Sequence, residues 1–312
     1  MTLPAIKWLR GQYETCHIAY LTDIALAEIL EKSEGINQIE TIDRQSFREK
    51  GRRVSALSGA LKMLYRLKRQ RFDRVFDLQG FGETAVIALL TGAPSRVGRV
   101  KKSLLRRRIY NSPIQADWEH EHRARYFLRA VAESCGFSAP GHVDPPRLPF
   151  KQGNRPTGRP VIGLNIGAST ESRRWSEHNF FALAIRLSRS GFAVRIFLGP
   201  QETFLAPAVK KICAENNWEF FMHQRLNPLI SAIADCTLLV SNDTGPGHLA
   251  AALQVPVITL FSTGAPENVR PLAASAKWFR NVNDINLIQV SEVEKACLEL
   301  TGGSSLPRMP VF

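Results

Sequence analysis

The chain has no uninterrupted apolar run approaching the roughly 18 residues a membrane-spanning helix requires, so none is expected. Its opening, MTLPAIKWLRGQYE, lacks a charged n-region, a long apolar core and a small-residue cleavage site, so no secretory signal is read there. The cysteines Cys16, Cys135, Cys213, Cys236 and Cys297 are scattered and form no C-x-x-C pair. That excludes a zinc ribbon or dithiol redox motif and reads as reduced, structural thiols in a cytosolic setting. No internal repeat is evident. Acidic residues are scarce: 28 Asp and Glu against 41 Lys and Arg leave a net charge of +13. Such a balance calls for an anionic partner: nucleic acid, an acidic membrane face or a phosphorylated ligand. The apolar fraction of 44% is enough for real cores and excludes a disordered chain.

The richest stretch present is SNDTGPGHLAAALQVPVITLF, residues 241–261. An apolar run, 236–240, ends in a small polar turn with Asp243, Thr244, Gly245, Gly247 and His248. An Ala/Leu-rich helix follows, then a second apolar run, Val255–Phe261. Strand, glycine turn, helix, strand is the parallel βαβ unit. Its first turn places backbone N–H groups and the positive end of a helix dipole at the carboxyl edge of a sheet, where phosphate or pyrophosphate binds. Glycines there can also serve only to reverse the chain. The gathering of Asp, Thr, paired Gly and His favours a ligand, because polar residues at such a loop usually meet one.

The pattern along the chain alternates helix and strand. Helices are expected at Leu3–Gly11, Ile24–Lys32, Ala56–Arg69, Thr84–Leu90 and Glu119–Cys135, and strands at His17–Leu21, Ile36–Ile42 and Val75–Leu78. From Ser138 to Pro160 six prolines and three glycines interrupt any regular element, which is a linker signal. A second half then reads strand 161–166, helix 178–190, strand 193–198, helix 203–216, and a closing helix 291–300. Two domains follow, 1–150 and 151–312. The tail after Gly302 reads as irregular. Seven of the thirteen residues from Arg96 to Arg108 are Lys or Arg, a contact surface or a solvated loop.

The stretch NDTGPGHLAAAL followed by PVITLF resembles the signature of glycosyltransferase family 9, the ADP-heptose:lipopolysaccharide heptosyltransferases. TLPAIKWLR (2–10), FDRVFDLQG (72–80), RVGRVKKSLLRRR (96–108), GLNIGASTESRRWSEHNFFALA (163–184) and FLGPQE (197–202) resemble further segments of that family in the same order. The resemblance implies an α/β chain of GT-B type: two Rossmann-like parallel-sheet domains facing a cleft, the first an acceptor-side domain, the second binding the donor. It implies an inverting transfer of heptose from ADP-heptose to the anionic lipopolysaccharide inner core, with no metal and no other cofactor. It also implies a cytoplasmic protein at the inner face of the inner membrane, with no nucleic-acid partner.

On the donor side the resemblance points to Thr244 and Gly245 for the pyrophosphate, Asp243 for sugar hydroxyls, His248 for the phosphates, and Arg173 in the place of a phosphate-contacting lysine. Glu202 would take the ribose hydroxyls, with Gln201 an alternative. Simpler roles stand beside these: a helix-capping or packing role for His248, an exposed loop position for Glu202, an Arg174 ion pair with Glu171 or Glu177, and Trp175 as a core or hinge residue. In the first half, Asp77 and Gln79 of DLQG stand at a strand end where an acceptor is contacted, or Asp77 caps the next turn. His120 and His122 are two apart and share no helix face. No metal cluster is seen.

One departure is specific. The family begins with a strand and a Gly-Asp turn whose Asp is the favoured catalytic base; this sequence starts at the helix that follows. The catalytic residue is therefore unassigned, and the helix at 3–11 is expected to lack a sheet partner. A catalytically inactive nucleotide-sugar or glycolipid binding protein of the same fold is the alternative reading. A nucleic-acid-binding protein is a third, resting on charge alone; the 96–108 run lacks interleaved aromatics.

Overall fold

The computed structural model describes residues 1–31, 33–44, 46, 53–100, 104–150, 158–222 and 225–302, and the side chains of 53–56 are not described. The expected linker residues 151–157, the basic residues 101–103, residue 32 of the expected helix 24–32 and the tail from 303 onward lie outside the described residues. The chain divides into two compact units, Met1–Asp144 and Pro145–Phe312, so the division falls inside the proline-rich stretch.

In the first unit the strands are β1 (Ala19–Asp23), β2 (Gln38–Ile42), β3 (Arg74–Asp77), β4 (Ser95–Gly98) and β5 (Ser112–Pro113). They form two parallel sheets, β1-β2 and β3-β4-β5. Among the described residues no ladder joins β1 to β3. The Leu3–Gln12 helix touches the surroundings of both of these sheets within the first unit. Its Ala5 packs with Tyr126, Phe127, Leu128 and Val131 of the Arg123–Ser134 helix, beside Phe76 and Leu78. Its Arg10 guanidinium donates to Cys16 O at 2.7 Å and Gly35 O at 3.0 Å, tying down the loops around β1.

Local chemistry moved several boundaries. The expected helix 24–32 is a 3₁₀ turn, Ile24–Leu26, leading into a single helical turn, Ala27–Leu30. The expected helix 119–135 starts at Arg123, because the His122 side chain accepts the Ala124 N–H at 3.2 Å as an N-cap. His120 instead pairs with Asp117 at 2.7 Å.

The second unit is built on one parallel sheet: β6 (Val161–Asn165), β7 (Ala193–Leu198), β8 (Glu219–Met222), β9 (Leu238–Asn242), β10 (Val257–Phe261) and β11 (Ala276–Arg280). The spatial order is β11-β10-β9-β6-β7-β8. β6, β9 and β10 are buried along their whole length, which is why they read as continuous apolar runs. Their neighbours are amphipathic helices. Glu177–Arg189 buries Phe180, Leu183, Ala184 and Leu187, a 3.6-residue stripe, and starts where Ser176 Oγ accepts the Asn179 N–H. It packs on Val290–Leu300, which buries Val293, Ala296 and Cys297. Gly163 is needed in β6, since a Cβ there would lie 2.8 Å from Leu239 and 2.9 Å from Phe197.

The order reverses between β6 and β9: the chain leaves β6 toward β7 on one side and returns at β9 on the other. The crevice beyond the carboxyl ends of such a pair is where open α/β sheets bind ligands. The 241–261 unit found in the sequence stands on that edge.

Among the described residues no helix is long and apolar enough to cross a membrane, and no group of His, Cys, Asp and Glu is placed to hold a metal ion.

Candidate functional site

At the switch point β6 ends in Asn165 and β9 in Ser241–Asn242, in register (Asn165 opposite Ser241). These buried polar residues tie three loops together. Asn165 Nδ2 donates to Ser241 Oγ and Thr244 Oγ1, both at 3.0 Å. Asn242 Nδ2 donates to the Ile166 and Gly167 carbonyls at 3.2 Å, while its Oδ1 accepts the Trp175 N–H at 3.0 Å. Thr244 Oγ1 donates back to Asn242 O at 3.2 Å. Buried polar groups persist only when satisfied, and these satisfy one another.

This network fixes the turn after β9. Asp243 N–H stays on Leu260 O at 3.1 Å, so the strand continues one residue further. Thr244 is extended (φ −146°, ψ 170°), and the helix Gly245–Ala252 then begins, with Pro246 in its first turn. That helix is apolar on its buried side and enters the core through Leu249, Ala250 and Ala251. Gly245 is exposed, and a Cβ on it would meet nothing within 4 Å, so the space beside its Cα is empty. His248 is half-buried on the same first turn.

Arg173 ends the 3₁₀ turn Glu171–Arg173 and is exposed. It belongs with Asp243. Burial pushes the Asp243 carboxyl above its ordinary value, and the Arg173 charge opposes that rise. Arg174 takes the simpler role: 3.6 Å from Glu177, over the Phe204 ring at 5.9 Å, with a buried Nε lacking a partner. Trp175 is fully buried, its indole N–H on Ile288 O at 3.1 Å and its ring edge-on to Phe180.

Glu202 is 4% exposed. Its Oε1 accepts the Ala168 N–H and its Oε2 the Gly199 N–H, each at 3.1 Å. It therefore clamps the loop after β6 to the end of β7. Gly167 makes room for it: a Cβ there would sit 2.8 Å from the carboxylate. Gln201 beside it is exposed.

In the first unit Asp77 is 6% exposed and anchors its own turn. Oδ1 accepts the Gln79 and Gly80 N–H groups at 3.1 and 2.8 Å; Oδ2 accepts the Thr84 and Tyr110 hydroxyls at 2.8 and 2.5 Å. The Tyr110 ring reaches it by lying on Gly98, where a Cβ would be 2.4 Å away. Gln79 is exposed and accepts from Arg44 at 3.4 Å.

The structure thus brings Arg173, Asp243, Thr244, Gly245 and His248 to one edge of the second sheet, with Glu202 bracing it from beneath. Asp77 and Gln79 belong to the other unit. The sequence reading missed Asn165, Ser241 and Asn242. Their signal was present: both fully buried strands, VIGLN and LLVSN, end in an asparagine.

The sequence profile of glycosyltransferase family 9 (heptosyltransferase) matches residues 60–297. The lipooligosaccharide heptosyltransferase 2 of Haemophilus influenzae is 31% identical over 142 residues, 44% of this chain and 41% of that relative, so the match spans about two fifths of the relative's length. The lipopolysaccharide heptosyltransferase 2 of Escherichia coli is 25% identical over 250 residues, 73% of this chain and 70% of that one. The solved E. coli heptosyltransferase WaaC with ADP superposes with a TM-score of 0.81 at 19% identity, covering 96% of this chain and 95% of the other. That likeness shows the fold, the GT-B type expected above. With most of its length matched by the family profile, the chain belongs to glycosyltransferase family 9, the heptosyltransferase family.

Proposed function

We propose that this chain is an inverting glycosyltransferase that moves heptose from ADP-heptose to the lipopolysaccharide inner core, working peripherally at the cytoplasmic face of the inner membrane. The observation that carries the reading is the convergence of Arg173, Asp243 and the open Gly245 turn at the switch point of the donor-side sheet. A helix start at an exposed glycine can receive phosphate oxygens. Arg173 adds a full positive charge where a diphosphate would gather negative charge on leaving.

In this reading Thr244 and Gly245 hold the pyrophosphate and His248 assists from the first helical turn. Asp243 accepts from sugar hydroxyls. Glu202 serves the ribose through the lone pairs its two backbone donors leave free. The second unit binds the donor; the first, through Asp77 and Gln79, contributes on the acceptor side, Asp77 by shaping the turn that presents Gln79. The acceptor hydroxyl attacks the anomeric carbon, the bond to the diphosphate breaks, and ADP leaves with the bonding pair. The residue that takes the hydroxyl proton is unassigned. A deacylated lipopolysaccharide acceptor with ADP-heptose tests the reading: ADP release that depends on acceptor supports it. ADP-heptose binding without transfer selects the inactive binding protein instead, a reading favoured by the commitment of Asp77 to four donors. Absence of binding at millimolar donor sinks both.

A further inference from the structure

Three helices of the first unit carry an outward apolar face that the fold leaves uncovered. On Arg53–Arg69, Leu57, Leu61 and Tyr65 recur every fourth residue, with Leu61 59% and Tyr65 64% exposed. The Gly82–Leu90 helix touches that helix on one side and Leu104–Ile109 on the other. It turns Val86, Leu89 and Leu90 outward. On the third helix Leu104 is 79% and Leu105 66% exposed. Single exposed leucines are ordinary; three adjacent helices presenting them together are not.

Among the described residues of these helices the charge is almost all positive. Lys62, Lys68 and Arg69 are exposed on the first helix, and Arg69 lies over the Tyr65 ring at 5.8 Å. Arg107 and Arg108 are exposed on the third. The three helices carry a single acid between them, Glu83, and Arg44 engages it at 2.8 Å. Arg96 and Arg106 of the same basic run are spent inside the fold, on Ile109 O and Gly80 O.

We infer that this face, centred on Leu61, Val86, Leu104 and Leu105, is the surface by which the chain docks onto an anionic lipid bilayer. The inference deepens the peripheral membrane contact proposed above by naming the surface that makes it. Apolar side chains enter the headgroup boundary while the surrounding Lys and Arg meet lipid phosphates, as in interfacial amphipathic helices. A second copy of the chain fits less well, because a two-fold contact would set these cations against themselves. Nucleic acid would supply phosphates, but among the exposed apolar side chains named on these helices only Tyr65 offers a stacking platform, and Arg69 already lies over its ring.

Flotation of the full chain tests this, with vesicles of phosphatidylcholine alone and of phosphatidylcholine and phosphatidylglycerol in equal parts. The chain is expected to float with the mixed vesicles, lose binding as salt rises, and remain behind with the neutral ones. Leu104→Gln with Leu105→Gln should lower partitioning roughly tenfold or more. Arg107→Gln with Arg108→Gln should lower it about fivefold per charge. Leu61→Gln, on a different helix, should lower it too, and each variant should melt as the parent does, since these side chains are exposed. A parent chain that floats with neither vesicle, or variants that float as well as the parent, overturns the inference. So does a Leu104-dependent dimer in sedimentation velocity without vesicle binding. Calorimetry with ADP on the same samples reads the functional proposal separately: flotation without nucleotide binding would defeat that proposal and leave this surface standing.

Discussion

The side-chain oxygen of Asn242 accepts the backbone N–H of Trp175 at 3.0 Å. One buried amide thereby joins the end of β9 to the end of the turn that carries Arg173. Its Nδ2 meanwhile holds the carbonyls of Ile166 and Gly167. Asn242→Ala leaves a buried donor and two buried acceptors without partners. We expect a loss of about 2–4 kcal/mol in urea unfolding, since each orphaned group costs about 1–3 kcal/mol and partial relaxation recovers some of it. Asn242→Asp should be comparably harmful, because a carboxylate cannot donate to the two carbonyls.

Arg173→Ala should weaken ADP binding by roughly 1.5–3 kcal/mol and leave adenosine binding unchanged. Titration calorimetry of both ligands checks this. Equal losses would remove Arg173 from the phosphates. Arg174→Ala serves as the contrast: its contacts are with Glu177 and Phe204, so ADP affinity should hold.

Asp243 makes a pH prediction. Burial raises its folded-state pKa above the ordinary 3.8. Below the ordinary value both states are protonated and the residue costs nothing. As pH rises, the unfolded chain ionises first, so stability falls until the folded carboxyl also ionises. Asp243→Asn should therefore match the parent near pH 3 and be more stable than it at pH 7, in urea melts run at both. Donor binding should move the other way, because the amide weakens the acceptor offered to sugar hydroxyls. A variant no more stable at neutral pH would show that the carboxylate is well solvated.

Tyr110 and Gly98 should behave as a pair. Tyr110→Phe removes a hydroxyl donor from the buried Asp77 carboxylate and should cost about 1.5–3 kcal/mol. Gly98→Ala sets a methyl against the Tyr110 ring and should cost about 1–3 kcal/mol by overpacking. In the double variant with Tyr110→Ala the methyl gains room, so the two effects should fall short of their sum. Thermal melting of the single and double variants reads this directly.

Much of the second unit was legible. Its buried strands are mostly apolar and its helices carry 3.6-residue stripes, so the expected 193–198 has the observed ends and 178–190 and 291–300 agree within a residue. The DTG turn announced itself by composition. The first unit read less clearly. β4 lies within Ser-Arg-Val-Gly, too polar and short for a periodic signal, and β5 has only two residues. The roles of Asp77 and Glu202 were legible only as alternatives, because a carboxylate at a strand end serves a ligand or a backbone equally well until its donors are seen. Spatial partners such as Tyr110 for Asp77, 33 residues away, leave no local trace.

The separation of β1-β2 from β3-β4-β5 has a consequence for how the protein breathes. A two-stranded parallel ladder is scarcely stable by itself, and this one leans on the Arg10 guanidinium and on the Arg66–Glu40 pair. Each strand of it is half-buried, whereas β6, β9 and β10 are sealed. Local opening follows such differences in cover. Amide deuteration should therefore run through Ala19–Asp23 and Gln38–Ile42 well before it reaches Val161–Asn165 or Leu238–Asn242, so the chain should open first at the end opposite in sequence to the Thr244–His248 turn.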